Sequence, residues 1–252
     1  MAQKGRWRAR FGRACVAGRK PDLMTPTPRL IIAIDGPAGA GKSTVAQKVA
    51  ERLGLAYVDT GATYRAAALR VIEQGVSPDD EGGVIASVAT ADIRLRPCGL
   101  RFTVLLDGRD TTAKLRTPEV TMAAAKVSRL PEVRVKLIAL QRTLAPEQGV
   151  VMEGRDIGTV VFPNAPLKIF LTARPEERAL RRLSDERQTG RNPSIEETAC
   201  EMGRRDQLDA ERKASPLVAA EDAHRIDSTG LTADQVVEEI VRLAREKRLI
   251  GA

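Results

Sequence analysis

The sequence predicts an α/β fold in which a five-stranded parallel sheet is flanked by helices. Short continuous apolar segments alternate with helical ones along the chain, which is the pattern of parallel strands buried on both faces. Only 3% of the 252 residues are aromatic, so the core must be built from Leu, Ile, Val and Ala. This composition argues against a β-sandwich and against a nucleic-acid module built on aromatic stacking.

The first 28 residues differ in character from the rest of the chain. They hold seven basic residues and one acidic residue, and so carry +6 of the total net charge of +8. They show no apolar periodicity and end in a proline-rich stretch, and such a segment cannot offset its ordering entropy. We predict a disordered basic extension over residues 1–28 and a folded domain over residues 29–252.

Three interpretations of this extension stay open. An arginine-rich, acid-poor start is typical of organellar transit peptides, although these are also rich in serine, which is absent here. A basic arm could contact RNA or DNA through phosphate charges. The third interpretation is an upstream extension without a role, with Met24 as the true start.

The folded part begins with a predicted strand over Leu30–Asp35, followed by a glycine-rich turn and a helix over 43–53. The turn matches G-x-x-x-x-G-K-[ST], and its position between a buried strand and a helix is the one this motif requires. Its glycines allow successive N–H groups to point at phosphate oxygens. The predicted ATP-binding residues are Gly36, Pro37, Ala38, Gly39, Ala40, Gly41, Lys42, Ser43 and Thr44.

The motif predicts a P-loop NTPase core. We expect Lys42 to place its charge on the β- and γ-phosphates, and Ser43 to offer its hydroxyl to a Mg²⁺ ion bound with ATP. A guanine-reading N-K-x-D motif is absent, and a motor ATPase needs a longer chain. A small-molecule kinase fits, because it requires only this core, an acceptor site and a covering lid.

Two further strands end in polar residues that could hold the acceptor. Ligands bind beyond the carboxyl ends of parallel strands. The strand Leu55–Asp59 leads into Tyr64 and Arg65, which are candidates for holding an acceptor phosphate. The strand Gly149–Glu153 leads into Glu153-Gly154-Arg155-Asp156, a position that suits a Walker-B-like acid near Mg²⁺ together with an Arg and an Asp that face the cleft.

An insertion interrupts the strand–helix alternation at residues 92–112. Alternating apolar residues and two turn signals, at 97–99 and 107–108, predict a small antiparallel sheet there. A second Gly-Arg-Asp at 108–110 follows the second turn and is interpreted as an exposed tip. Further strands are predicted at Leu167–Leu171 and around 225–226, and a last helix over 233–248 with a Thr232–Gln235 capping box.

The segment from about residue 178 to residue 212 is predicted to be a helical lid. It is dense in arginine and has a loop at 189–194 between two charged helices. Arginines that close onto the transferred phosphoryl group would neutralise charge in the transition state. The alternative is a solvated helical hairpin held by pairs such as Glu177–Arg181.

Several classes of site and compartment are excluded or disfavoured by composition. The three cysteines lie far apart and His224 is the single histidine, which argues against a disulfide framework, a cysteine or histidine metal site and a catalytic triad. No apolar run is long enough for a membrane span. We therefore expect a cytoplasmic enzyme, monomeric, with no membrane partner and no nucleic-acid partner for the body.

The motifs together resemble those of the bacterial cytidylate kinases, the (d)CMP kinase branch of the nucleoside monophosphate kinases. The resemblance spans residues 30–248 and rests on the runs at 34–43, 59–65, 115–120, 153–162 and 204–209, with Pro216-Leu217. It implies phosphorylation of CMP and dCMP by Mg-ATP, a CMP-binding region over about 60–130 that includes the β insertion, and a lid. A kinase for UMP or another monophosphate, and an ATP-dependent nucleic-acid-binding protein, remain the alternatives.

The same resemblance implies roles for individual residues. Arg65, Arg155 and Arg212 would clamp the CMP phosphate, with Thr60 and Tyr64 beside them. Arg134 and Asp156 would read cytosine, while Arg205 and Asp209 would contact the ribose. The implied catalytic residues are Lys42, Arg155, Arg178 and Arg182, the last two as lid arginines that approach the ATP phosphates. Residues 227–229 would lie near adenine.

Two positions depart from the family pattern. Ala125 stands where many members have a serine near the cytosine, so one base contact is expected to be missing. Glu153 stands where an aspartate is common, and its side chain is one methylene longer.

Overall fold

A parallel sheet of five strands forms the centre of the fold, as the sequence predicts. The computed structural model describes residues 30–99, 101–188, 191–212 and 214–251. The predicted basic extension and the tip of the predicted lid at 189–190 lie outside these residues. The described strands are β1 (Ile31–Asp35), β2 (Ala56–Asp59), β3 (Ile93–Cys98), β4 (Arg101–Leu106), β5 (Arg109–Asp110), β6 (Val150–Gly154), β7 (Leu167–Thr172) and β8 (His224–Asp227).

The helices of the described residues connect these strands. They are α1 (Lys42–Leu53), α2 (Gly61–Glu73), α3 (Glu81–Thr90), α4 (Pro118–Val127), α5 (Pro131–Arg142), α6 (Pro175–Gln188), α7 (Ile195–Ala210) and α8 (Ala233–Glu246). A 3₁₀ turn covers Thr112–Lys114 and a π-helical turn covers Ile157–Val161. Among these helices, none has the length and apolar character that crossing a membrane would require.

The central sheet has the order β2-β6-β1-β7-β8, and every pair is parallel. Fully buried side chains cover both of its faces, such as Ile32 and Ile34 on one side and Ala33 and Met152 on the other. Because the strands are parallel, their carboxyl ends meet at one edge, where Asp35 lies beside Gly154 and Asp59 beside Glu153. The edge predicted to hold the ligands therefore brings together the P-loop and the segments that begin at Asp59 and at Glu153.

The insertion forms the antiparallel sheet β3-β4-β5, which confirms the prediction for 92–112. Asp107 and Gly108 both have positive φ values (49° and 76°), as a two-residue hairpin turn requires. Leu106 at the end of β4 is fully buried in a second core built with α2, α3, α4 and α5. Arg109 of the second Gly-Arg-Asp copy is exposed and pairs with Glu73 at 2.6 Å, away from the cleft, as expected of a tip.

The C-terminal helix is two residues shorter than predicted. The Thr232–Gln235 capping box is present, but α8 ends at Glu246. Arg248 has a positive φ of 55°, a conformation that a helix interior does not allow. The start of α7, the second helix of the predicted lid, is likewise fixed by a capping box, between Ser194 and Glu197.

Candidate active site

A cleft of about 680 Å³ lies at the carboxyl edge of the sheet, between the P-loop, the α2–α5 region and the helices α6 and α7. Ten cationic and seven acidic side chains line it. The cations are Lys42, Arg65, Arg116, Arg134, Arg155, Arg181, Arg182, Arg191, Arg205 and Arg212. The acids are Asp59, Glu153, Asp156, Asp185, Glu186, Glu201 and Asp209. An excess of buried and half-buried cations is suited to binding polyanions.

The glycines of the P-loop are required by close backbone approaches. A Cβ on Gly36 would lie 2.0 Å from the carbonyl oxygen of Leu171 in β7. Gly41 has a φ of 88° and precedes α1 as its N-cap. Of the predicted ATP-binding residues, six line the cleft: Ala38, Gly39, Gly41, Lys42, Ser43 and Thr44. Gly36, Pro37 and Ala40 lie behind them and shape the loop.

Lys42 is buried, and its ammonium group donates to the carbonyl oxygen of Pro37 at 2.7 Å. Burial and the nearby Arg155 guanidinium lower the pKa of Lys42 to about 7, with Glu153 opposing the shift. Lys42 therefore has a backbone hydrogen-bond partner in the protein without nucleotide. Its charge is costly in the free protein, and an incoming polyphosphate would stabilise it.

Glu153 sits at the end of β6 within reach of the P-loop. Its carboxylate accepts a hydrogen bond from the Tyr57 hydroxyl at 2.6 Å, and the Ser43 side chain opposes the rise in its pKa that burial causes. Burial, with the nearby Asp59 carboxylate, raises the pKa of Glu153. These oxygens fit a Mg²⁺ ion, which uses few protein ligands and takes the others from water and phosphate. Within the described residues, no three His, Cys, Asp or Glu side chains form a metal-binding cluster.

The arginines expected to clamp a phosphate are held by two aspartates. Arg65 pairs with Asp59 at 2.6 Å. Arg155 pairs with Asp209 at 2.7 Å, and Arg212 pairs with the other oxygen of the same carboxylate. Shared carboxylates of this kind fix the direction of each guanidinium before a ligand arrives. Thr60, also predicted for this region, lines the cleft and donates to the backbone oxygen of Glu153 at 2.7 Å.

Arg205 adds a further guanidinium to this cluster. Burial, together with the repulsion of Arg155, lowers the pKa of Arg205 to about 10. The Asp209 carboxylate opposes this shift but does not cancel it. A bound anion would relieve the remaining repulsion between the two arginines.

Arg134 and Asp156 form a buried ion pair in the cleft. The Arg134 guanidinium also donates to the backbone oxygen of Ser128 at 3.2 Å and lies 5.4 Å from the centre of the Tyr64 ring. Ala125 lines the cleft at this point, and the Ser128 hydroxyl donates to its backbone oxygen at 3.0 Å. The two residues that the resemblance implies as readers of cytosine thus meet, Arg134 from α5 and Asp156 from the segment that follows β6.

The lid arginines are divided between the cleft and the P-loop. Arg182 lines the cleft, and its guanidinium is held by Glu186 at 2.8 Å. Arg178 does not line the cleft: it donates to the carbonyl oxygen of Ala38 at 3.1 Å and pairs with Asp206. In this structure Arg178 therefore contacts the loop that would hold the phosphates.

The segment 227–229 lies beside the P-loop. The Ser228 hydroxyl donates to the carbonyl oxygen of Ala40 at 3.2 Å. The Asp227 carboxylate accepts hydrogen bonds from the backbone N–H and from the hydroxyl of Thr229.

Sequence reasoning did not assign several residues of this region, among them Arg181, Arg116 and Asp35. Arg181 and Arg116 line the cleft. An arginine-rich helix such as α6 gives no signal for which arginine faces inward, and Arg116 lies in the turn before α4. Arg181 donates to the backbone oxygen of Ser228 at 2.8 Å, a contact between distant segments. Asp35 was assigned only to a strand end. The signal that could have marked Asp35 is its acidic side chain at the end of an otherwise apolar strand, directly before the P-loop.

Comparison with known proteins shows that the chain is similar to proteins named cytidylate kinase. The family model described as cytidylate kinase matches residues 32–246. The cytidylate kinase of Caldicellulosiruptor bescii is 46% identical over 215 residues, which cover 85% of this chain and 95% of that protein. The cytidylate kinase of Desulforamulus reducens is 50% identical over 210 residues, covering 83% and 94%. A crystal structure of an uncharacterized protein from Eubacterium ventriosum shares the fold, with a TM-score of 0.50 at 14% identity over 86% of this chain and 99% of that one.

Proposed function

The chain belongs to the cytidylate kinase family, and on that premise we propose that it transfers the γ-phosphoryl group of Mg-ATP to CMP or dCMP, producing ADP and CDP or dCDP. The observation that supports this most directly is the cleft itself. It joins the P-loop to the buried Arg134–Asp156 pair, with the clamp arginines between them. One cleft thus offers a site for a triphosphate and a site for a nucleobase that carries a phosphate.

Arg65, Arg155 and Arg212 would hold the CMP phosphate, and Arg205 and Asp209 would contact its ribose. A phosphate monoester is mostly dianionic at pH 7 and is its own nucleophile, so no general base is needed. The contribution of these side chains is to bring two polyanions together against their repulsion and to align the acceptor oxygen with the γ-phosphorus.

On the ATP side, Lys42 and the P-loop N–H groups would hold the β- and γ-phosphates, and Arg182 would approach them from the lid. Ser43 would hold the Mg²⁺ ion with Glu153 beside it, and that ion supplies neutralisation of phosphate charge when bound. Closure of α6 and α7 would exclude water, which would otherwise accept the phosphoryl group.

Arg134 and Asp156 would read the base. Cytosine presents an N4 amino donor, which a carboxylate accepts, and the N3 and O2 acceptors, which a guanidinium serves. Uracil reverses the donor and acceptor at two of these positions and would leave polar groups unpaired in a closed site. Each mismatch costs about 1–3 kcal/mol, so discrimination of about 10²–10⁴ is expected from two.

The remaining parts of the proposal concern the oligomeric state and the cellular compartment of the protein. We place the enzyme in the cytoplasm as a monomer, with ATP and CMP or dCMP as its partners. The widely spaced cysteines, of which Cys98 and Cys200 are free and exposed, suit a reducing compartment.

Turnover with a panel of monophosphates tests the function. ADP formation should depend on CMP or dCMP, should be weak with UMP, AMP and GMP, and should not respond to added RNA or DNA. Equal turnover with UMP would favour a broader pyrimidine kinase. ATPase activity stimulated by nucleic acid and indifferent to CMP would overturn the proposal.

A further inference from the structure

Asp35 bridges two distant segments at the carboxyl edge of the sheet. It is the last residue of β1 and directly precedes the P-loop. One oxygen of its buried carboxylate accepts from the N–H of Ile157 at 2.8 Å, and the other accepts from the N–H of Gly158 at 2.7 Å. The bonds therefore join residues that lie more than 120 positions apart in the chain.

The segment that Asp35 holds begins one residue after the base-reading carboxylate. Asp156 has an irregular backbone (φ −147°, ψ 27°) and precedes the π-helical turn Ile157–Val161. The first N–H groups of a helical turn have no acceptor within the turn. Asp35 supplies the acceptor for two of them, and so fixes the peptide that follows Asp156. A displacement of this peptide would move the Asp156 carboxylate relative to Arg134.

We propose that Asp35 is a positioning residue for Asp156, which sets the direction of that carboxylate and through it the affinity for the cytosine base. The inference rests on the proposed function, because it takes Asp156 to contact the base. It extends that function to a buried side chain that lies outside the lining of the cleft.

The P-loop is held in place by contacts that do not involve the Asp35 carboxylate. The effect of Asp35 on the CMP site can therefore be separated from any effect on the ATP site. Gly36 packs directly against the Leu171 backbone, and Lys42 donates to the oxygen of Pro37. Arg178 donates to the oxygen of Ala38. Since these contacts do not involve the Asp35 carboxylate, a change in that carboxylate should act on the CMP site more than on the ATP site.

The electrostatics of Asp35 agree with a role that depends on hydrogen bonds. Burial raises the pKa of Asp35 to about 6, and the two N–H groups oppose that rise. Without these two bonds an ionised carboxylate would be harder to keep at this position.

Asp35→Asn tests the inference with little change in shape. The amide oxygen can accept one N–H, but the NH₂ group must then face the other. We expect the dissociation constant for CMP, measured by calorimetry, to rise about 10-fold, the equivalent of one lost hydrogen bond. The dissociation constant for ATP should stay within about 2-fold, and the CMP/UMP ratio of kcat/KM should fall about 10-fold.

Two further variants complete the design. Gly158→Ala keeps the carboxylate but places a Cβ 3.2 Å from the Lys168 side chain and 3.4 Å from the Asp35 oxygen, so the turn and the Lys168 side chain are pushed apart by a few tenths of an ångström. It should shift CMP affinity in the same direction, and it replaces Asp35→Asn if that variant does not fold. Asp79→Asn, at an exposed carboxylate paired with Lys126, is the matched control and should change neither affinity.

If Asp35 had a purely structural role, the variants would show a different pattern of CMP and ATP affinities. If the folded variants lose CMP and ATP affinity equally, or keep the wild-type CMP/UMP ratio, while the wild type phosphorylates CMP, the positioning inference alone is overturned. If the wild type does not phosphorylate CMP, the proposed function is overturned and this inference falls with it.

Discussion

The Arg134 guanidinium lies against the Asp156 carboxylate inside the cleft, with only 3% and 6% of the two side chains exposed. A buried ion pair is expensive to form and is weak evidence for a contribution to stability. Its place in the cleft instead fits a pair whose donor and acceptor face a nucleobase.

Replacement of Asp156 tests that role. Asp156→Ala should lower kcat/KM for CMP about 10²-fold and change kcat/KM for UMP far less, because the contact to the N4 amino group is lost. Since Arg134 would be left buried without its partner, the variant should also lose about 3–5 kcal/mol of unfolding free energy. Asp156→Asn keeps the shape of the side chain and is the control for this loss of stability. Equal loss with CMP and UMP would show a metal or packing role instead.

Replacement of Lys42 tests the P-loop. Lys42→Ala should lower turnover about 10³-fold or more, because the lost charge matters most as charge develops on the transferred phosphoryl group. The measurement is steady-state ADP formation at saturating substrates. A variant that keeps more than a tenth of wild-type turnover would contradict the role assigned to the loop.

The pKa of Lys42 adds a second prediction, for binding rather than turnover. In the nucleotide-free protein this pKa is lowered to about 7, so above pH 7 the amine is largely neutral. Phosphates favour the charged form and raise the pKa, so ATP binding should take up about one proton at pH 8 and should weaken as pH rises. Calorimetry in two buffers of different ionisation enthalpy measures the uptake. Lys42→Met should abolish it, and uptake that persists in this variant would assign the proton to another group.

The two lid arginines should differ in what they affect. Arg182→Lys should lower kcat with little change in ATP affinity, because Arg182 lines the cleft and would act in the closed state. Arg178→Lys should weaken ATP binding and lower the melting temperature, because Arg178 bonds the oxygen of Ala38 and Asp206. Parallel kinetics, ATP titration and thermal denaturation of both variants measure this. If both variants show the same changes in kcat, ATP affinity and melting temperature, the different roles assigned to Arg182 and Arg178 are contradicted.

Lys136 offers a prediction for stability alone. Its ammonium group donates to the carbonyl oxygens of Val88, Ala89 and Ala91, at 2.7–2.9 Å, and so closes the C-terminal end of α3. Lys136→Met should cost about 1–3 kcal/mol of unfolding free energy and leave kcat unchanged, since these carbonyl groups lose their donor. Lys126→Met, at an exposed pair, is the control and should cost less than about 1 kcal/mol. If chemical denaturation shows equally small losses of unfolding free energy in both variants, the stabilising role assigned to Lys136 is rejected.

Local chemistry in the sequence was sufficient for the elements and the motif. Apolar runs of five or six residues predicted β1 and β7 almost to the residue, because parallel strands buried on both faces leave little choice of residue type. The glycines of the P-loop were readable because the backbone there either approaches a neighbour too closely for a side chain, as at Gly36, or has a positive φ, as at Gly41. The capping residues Thr232 and Gln235 act within one turn of helix and were equally visible.

Only the tertiary structure decided which of the charged side chains pair directly with one another. Asp209 holds both Arg155 and Arg212, and Arg178 reaches Ala38 across 140 positions, where sequence spacing carries no distance information. The arginines of α6 that face the cleft and those that face away from it are the same residue type. Only the packing of α6 in the fold distinguishes them. Asp35 is the clearest case, since its two acceptor bonds exist only because the parallel sheet brings the end of β1 beside the end of β6.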